Sequence, residues 1–251
     1  MAVIRDALDW LKRPIAHRGL HDEARGIVEN SASAAEAAIA EDYAIEVDLQ
    51  CAKDGLPVVF HDHSLSRLTA EAGPVALRDA AELCTIPLRN SKDRILSLDG
   101  LLALADGRVP LLLEVKSNWG GDSRYEANIA AKLSPYSGHV AVMSFDPHSV
   151  AAFRRLSPSL PRGLISERFE DKHHWSELSA GQRFAMRHLL TAAIARPHFI
   201  AYDIKALPAL APVIARGLCG LPLLTWTVRT EAEKARALRY ADAMIFEGVV
   251  P

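Results

Sequence analysis

Short apolar runs alternating with alanine-rich amphipathic stretches constrain this chain more than any other feature. Such a pattern reads as strands of a parallel sheet, each followed by a helix, because parallel neighbours need a long crossover between them. Candidate strands are 14–17, 44–49, 57–61, 110–116, 139–145, 162–166, 198–203, 222–228 and 243–246. They are short and nearly continuous in apolar residues, as strands covered on both faces should be. Helices are expected over 30–41, capped by Asn30 or Ser31, and over 97–106, capped by Ser97. Others are expected over 124–134, 147–156, 179–195 and 230–240, the last opened by a Thr230/Glu233 capping box.

The pattern implies an α/β chain folded as a (β/α)8 TIM barrel. Nine strand candidates are one more than that barrel holds, and the pattern does not single out the surplus. Residues 49–57 are too few for a helix, yet they join two strands, and Asp54-Gly55 signals a hairpin. The expectation is a barrel irregular around its second and third strands. The chain would descend through 50–53, turn, and rise again as 57–61, leaving both strand ends on one rim. Residues 62–109 are long for one connection and are expected to form a small cap insertion over the mouth. Residues 167–178 are polar and read as a surface loop. No repeat or linker divides the chain, so residues 1–251 read as one domain.

Basic and acidic residues number 29 and 31, for a net charge of −2. That balance lacks the basic excess of a nucleic-acid binder. Cys51, Cys84 and Cys219 are scattered and odd in number, which fits reduced thiols in the cytoplasm. Arg5, Asp6 and Asp9 interrupt what would be the apolar core of a signal peptide. No stretch reaches the ~18 apolar residues of a membrane span. A cytoplasmic protein without stable membrane association is expected; oligomeric state is left open.

Four clusters at strand C-terminal ends, where barrel enzymes carry their sites, hold the chemistry. They are His17-Arg18-Gly19, Glu46-Val47-Asp48, His61-Asp62 and Glu114-Val115-Lys116. Residues two apart in a strand share a face, so Glu46 and Asp48 both project into the barrel. Two acids on the inward face of an apolar strand repel unless a cation neutralises them. With Glu114 they make an oxygen-donor set suited to one divalent cation, Mg²⁺ or Ca²⁺, rather than zinc. Arg18 and Lys116 supply positive charge for a phosphate. A structural salt-bridge network is the competing reading of the same residues. His17 and His61 are candidates for proton transfer. Phe145 and Trp226, on late strands, read as core or as walls beside a ligand. His21, His63, His139, His148, His173, His174, His188 and His198 read as solvated or structural.

In this order, the motifs resemble the glycerophosphodiester phosphodiesterase family: His17-Arg18-Gly19, Glu29-Asn30, Glu46-Val47-Asp48, Asp54-Gly55, His61-Asp62 and Glu114-Val115-Lys116. Weaker echoes follow in Ser144-Phe145-Asp146 and Thr225-Trp226-Thr227-Val228. The resemblance implies a phosphodiesterase-type TIM barrel with one divalent cation held by Glu46, Asp48 and Glu114. It implies His17 and His61 as acid and base, Arg18 and Lys116 on the phosphate, and Glu29 supporting the first-strand loop. The implied substrates are deacylated phospholipids such as glycerophosphocholine, cleaved to glycerol 3-phosphate and an alcohol. Val28, Ala52-Lys53 and Phe246-Glu247 depart from the family pattern. The last departure lies near the rim and is expected to bear on which substrate fits. The alternatives are a phospholipase resembling sphingomyelinase D and a non-catalytic barrel that binds a phosphate ligand.

Overall fold

The computed structural model describes residues 8–251 apart from 118, 120, 121, 172 and 174. The first seven residues and His174 therefore lie outside the described residues. The described strands are β1 (Ile15–Ala16), β2 (Ala44–Cys51), β3 (Pro57–Val59), β4 (Leu96–Ser97) and β5 (Leu111–Val115). They continue as β6 (Val140–Ser144), β7 (Arg162–Ser166), β8 (Phe199–Asp203), β9 (Leu223–Val228) and β10 (Ala243–Phe246). Eight of them close a parallel ring in the order β1, β2, β5, β6, β7, β8, β9, β10 and back to β1. This is the TIM barrel.

The surplus strand is 57–61. It runs antiparallel to β2, with Leu49 opposite Val59 and Cys51 opposite Pro57, and β4 adds antiparallel to it outside the ring. The expected direction of the hairpin is corrected. Strand β2 continues outward past the rim to Cys51, the chain turns at Asp54-Gly55, and β3 comes back toward the barrel. Five residues, 52–56, can only reverse a strand, since a parallel return needs a crossover. Gly55, at φ +78°, supplies the left-handed residue of that turn.

The helices between strands are α1 (Ala32–Ala40), α2 (Ala80–Leu83), α3 (Leu98–Ala105), α4 (Arg124–Leu133) and α5 (Pro147–Leu156). They are followed by α6 (Ala180–Arg187), α7 (Ala192–Ala195), α8 (Leu210–Gly217) and α9 (Glu231–Tyr240). Ser31 rather than Asn30 caps α1, accepting the Ala34 amide, and Ser97 caps α3. The expected helix 179–195 breaks into α6 and α7, and α8 carries no counterpart in the sequence reading. Thr230 accepts the Glu233 amide, but the Glu233 carboxylate takes the Arg229 amide instead of closing the capping box.

Strand parity sorts the interior. Ile15, Ala44, Leu112, Ala141, Met143, Ile165, Phe199, Ala201, Leu224, Ala243 and Ile245 form one apolar cluster inside the ring. The alternate residues pack outward under the helices. Gly163 leaves room for the Phe199 ring, which a Cβ there would approach to 2.1 Å. Residues 60–95 pack a separate apolar cluster, with Phe60, Leu65, Val75, Leu83 and Ile95 buried around β3. That cluster fixes the hairpin from outside and so fixes His61 at the mouth.

Candidate active site

The inward parity that makes the lower barrel apolar turns polar at its C-terminal end. Continuing each inward row in steps of two reaches His17 from Ile15, Glu46 and then Asp48 from Ala44, and Glu114 from Leu112. The same step reaches Phe145 from Met143, Trp226 from Leu224 and Glu247 from Ile245. All these side chains meet at one mouth.

Glu46 and Asp48 are each 1% exposed. They and Glu114 each offer an oxygen within 4.8 Å of the others. At an effective dielectric of about 20, two unit charges that close repel by roughly 3.5 kcal/mol. Local cations offset part of this. Lys116 Nζ lies 2.8 Å from Asp48 Oδ1 and also pairs with Glu114. Arg18 Nε lies 3.2 Å from Asp48 Oδ2, and Asn30 Nδ2 donates to the same oxygen at 2.9 Å. Burial pushes the Asp48 carboxyl up, but Lys116 and Arg18 outweigh it and hold the group well below the carboxylate range. Glu46 goes the other way: burial, then Asp48 and Glu114, push it well above its ordinary value. Glu114 is raised as well, by burial first. Glu46 Oε2 accepts the Arg18 amide at 2.9 Å, while the buried Oε1 has no hydrogen-bond partner among the described residues. A buried, unpartnered carboxylate oxygen within a set of three acids fits a divalent cation. Glu46, Asp48 and Glu114 are the residues that would hold it.

The first-strand loop is shaped by two consecutive left-handed residues, Arg18 (φ 55°) and Gly19 (φ 77°). This turns the Arg18 amide onto Glu46 and returns its guanidinium to Glu29, at 2.7 Å, beside Asp48. A Cβ on Gly19 would stand 2.8 Å from the Ala34 backbone. Glu29 also receives both amino nitrogens of Arg67, at 2.7 and 3.0 Å. Burial pushes Glu29 up, and the Arg67 and Arg18 pairings more than reverse it.

Each histidine carries a carboxylate on Nδ1. His17 Nδ1 lies 2.7 Å from Glu247 Oε2, and His61 Nδ1 lies 2.7 Å from Asp62 Oδ1. Arg229 donates to Glu247 at 2.8 Å, and Arg67 forks onto Asp62 at 2.6 and 2.9 Å. The His17 hydrogen bond, joined by Arg229, holds the Glu247 carboxyl far below its usual range. Asp62 is lowered to about 2: burial opposes this, and Arg67 and His61 prevail. Burial lowers both imidazoles below 6.5, against the pull of their carboxylates. Near neutral pH such a ring is mostly uncharged and able to accept a proton. A carboxylate on Nδ1 fixes the tautomer and leaves Nε2 for proton transfer.

The structure thus brings together His17, Arg18, Glu46, Asp48, His61, Glu114, Lys116, Phe145 and Trp226, with Glu29 one layer behind Arg18. Two residues of the site, Arg67 and Arg229, went unread in the sequence, and a third, Glu247, was read only as a departure near the rim. Glu247 sits on His17, and the signal for that was available: inward parity from Ile245, on the strand that pairs with β1. Arg67 and Arg229 lie in loops with no period to mark them.

Fold and mouth together define a class: a TIM-barrel enzyme with an acidic, cation-suited centre flanked by two carboxylate-paired histidines. The model of the glycerophosphoryl diester phosphodiesterase family matches residues 17–249. The chain belongs to that family and is a phosphoric diester hydrolase. It is 30% identical over 182 residues to YhdW of Bacillus subtilis strain 168, a candidate glycerophosphodiester phosphodiesterase, covering 69% of this chain and 71% of that one. It is 26% identical over 224 residues to a glycerophosphodiester phosphodiesterase of the same organism, covering 80% and 72%. An Oleispira antarctica phosphodiesterase, solved with the product sn-glycerol-3-phosphate, shares the fold at a TM-score of 0.78 and 20% identity, over 96% of this chain and 94% of that one. Among the described residues no helix is long and apolar enough to cross a membrane.

Proposed function

We propose that this chain hydrolyses glycerophosphodiesters, the deacylated forms of phospholipids, to glycerol 3-phosphate and an alcohol. Two histidines with carboxylate-bound Nδ1 atoms, in the same mouth as an acid triad, carry this reading. Family membership and the product bound to the Oleispira antarctica relative support the substrate class. The catalytic unit is a single domain, residues 1–251, with residues 62–109 as its cap insertion, and it works in the cytoplasm.

The steps assigned to the chain's own residues are these. Arg18 and Lys116 draw the phosphate to the mouth and orient it. Glu29 positions Arg18, and Phe145 and Trp226 line the wall beside the substrate. One histidine takes a proton at Nε2 from the nucleophile, and the other delivers one to the leaving oxygen. Glu247 and Asp62 hold the two rings in the required tautomer. A divalent cation, Mg²⁺ or Ca²⁺, would supply at Glu46, Asp48 and Glu114 the positive charge that offsets the carboxylates and the charge built up on phosphate.

The test is release of glycerol 3-phosphate from several glycerophosphodiesters by wild type, His17→Ala and His61→Ala, with and without EDTA. Loss of at least a hundredfold in each variant, and EDTA inhibition reversed by Mg²⁺ or Ca²⁺, are expected. Near-wild-type turnover in either variant would overturn the paired-histidine scheme. Full activity after metal stripping would overturn the cation site.

A further inference from the structure

Beside the charged centre, the same cavity of about 520 Å³ has an aromatic half. Three of the chain's four tryptophans, Trp119, Trp175 and Trp226, line it together with Phe145. Their rings stand as walls rather than as a stack. Phe145 meets Trp226 at 88° with centroids 5.6 Å apart, and Trp119 meets Trp175 at 84° and 6.5 Å. Phe145 and Trp175 are tilted by 51° at 5.1 Å, and Phe169 backs both from the buried side. Trp119 is 37% exposed although large and apolar.

Perpendicular rings turn π-faces in more than one direction, and a π-face attracts a cation without needing a hydrogen bond. The aromatic half is also rimmed by carboxylates, since Glu167 and Asp146 line the cavity. The cations nearest the centre are already committed: Lys116 pairs with Asp48 and Glu114, and Arg229 with Glu247. A rounded cation with no N–H can lay its methyl groups against the ring faces, which attract its charge but offer few hydrogen-bond acceptors.

We propose that Trp119 and Trp175, with Phe145 and Trp226, form a headgroup box that selects glycerophosphodiesters ending in a quaternary ammonium. The proposal rests on the substrate class proposed above and adds selection among its members. The phosphate sits at the histidines and the trimethylammonium in the box, and cleavage leaves the cationic alcohol there.

The test compares sn-glycero-3-phosphocholine with its neutral carbon isostere, the 3,3-dimethylbutyl ester, which has the same shape and no charge. The wild type should favour the choline ester in kcat/KM by about five- to thirtyfold. Trp119→Leu, at an exposed position, should bring that ratio close to one, and Trp175→Leu should do the same. A ratio guards against partial unfolding, which lowers both rates together. Independently of turnover, tetramethylammonium chloride should quench tryptophan fluorescence saturably where sodium chloride at equal ionic strength does not. A wild-type ratio within twofold of one, or quenching that never saturates, would overturn the box while leaving phosphodiester hydrolysis in place. Should no ester be cleaved, the proposed function fails, and the tetramethylammonium titration alone decides the box: saturation supports it and its absence overturns it.

Discussion

Replacing Glu247 with Gln isolates what a carboxylate does for His17. The shape is kept, and one amide oxygen can still accept from both His17 Nδ1 and Arg229, whose contacts with Glu247 Oε2 are 2.7 and 2.8 Å. Only the charge is lost. A hydrogen bond to a charged partner is worth about 1.5–3 kcal/mol and a neutral one about half that. The difference, about 0.8–1.5 kcal/mol, corresponds to a roughly four- to thirteenfold fall in kcat where the imidazolium forms in the transition state. The pH profile gives a second readout. Burial lowers His17, and Glu247 works against burial by raising it. Without the carboxylate, His17 falls further, so the limb that His17 governs moves to lower pH whether the ring serves as acid or as base. Steady-state kcat and kcat/KM across pH, with NMR titration of the His17 ring, measure both. A kcat within twofold of wild type together with an unmoved limb would refute the orienting role of Glu247.

The other predictions use the same charges and the same loop. In metal-free protein, the raised Glu46 carboxyl keeps its proton longer when folded than when unfolded. Its contribution is therefore full below 4.5 and is lost as pH rises through the folded value. Glu46→Gln removes that loss, so the metal-free melting temperature at pH 8 should rise, by ~2–4 °C for each kcal/mol relieved, while hydrolysis disappears. An unchanged melting temperature would argue against buried repulsion. Gly19→Ala combines a left-handed backbone with a 2.8 Å clash against Ala34, and urea unfolding should show a loss of about 2–5 kcal/mol. Arg67→Met should let Asp62 titrate above about 2, toward its ordinary value, in a carboxyl NMR titration. It should also lower kcat severalfold and cost some stability, because the buried Glu29 carboxylate loses the partner that most offsets its burial.

Much of this molecule was legible because period-two alternation and strand-end motifs are local properties. The strands of the ring, a cap at Asn30 or Ser31, the Ser97 cap, and the pairing of Glu46 with Asp48 on one face all follow from residues within a few positions of each other. Parity extended one step further would have reached Glu247. The break between α6 and α7, and helix α8, were hidden because exposed apolar residues such as Phe184, Leu210 and Leu218 blur the amphipathic pattern.

The sequence by itself determined a barrel, its C-terminal mouth, an acid triad and two histidines. Tertiary structure alone decided which of nine strands stays out of the ring, because closure depends on which backbone edges pair across the whole sheet. It alone put Arg67 on both Glu29 and Asp62, 38 and 5 residues away. It alone gathered Trp119 and Trp175 beside Phe145 and Trp226 around one cavity, since the first two lie in loops with no period and meet the strand residues only where the ends of β5, β6, β7 and β9 converge at the rim.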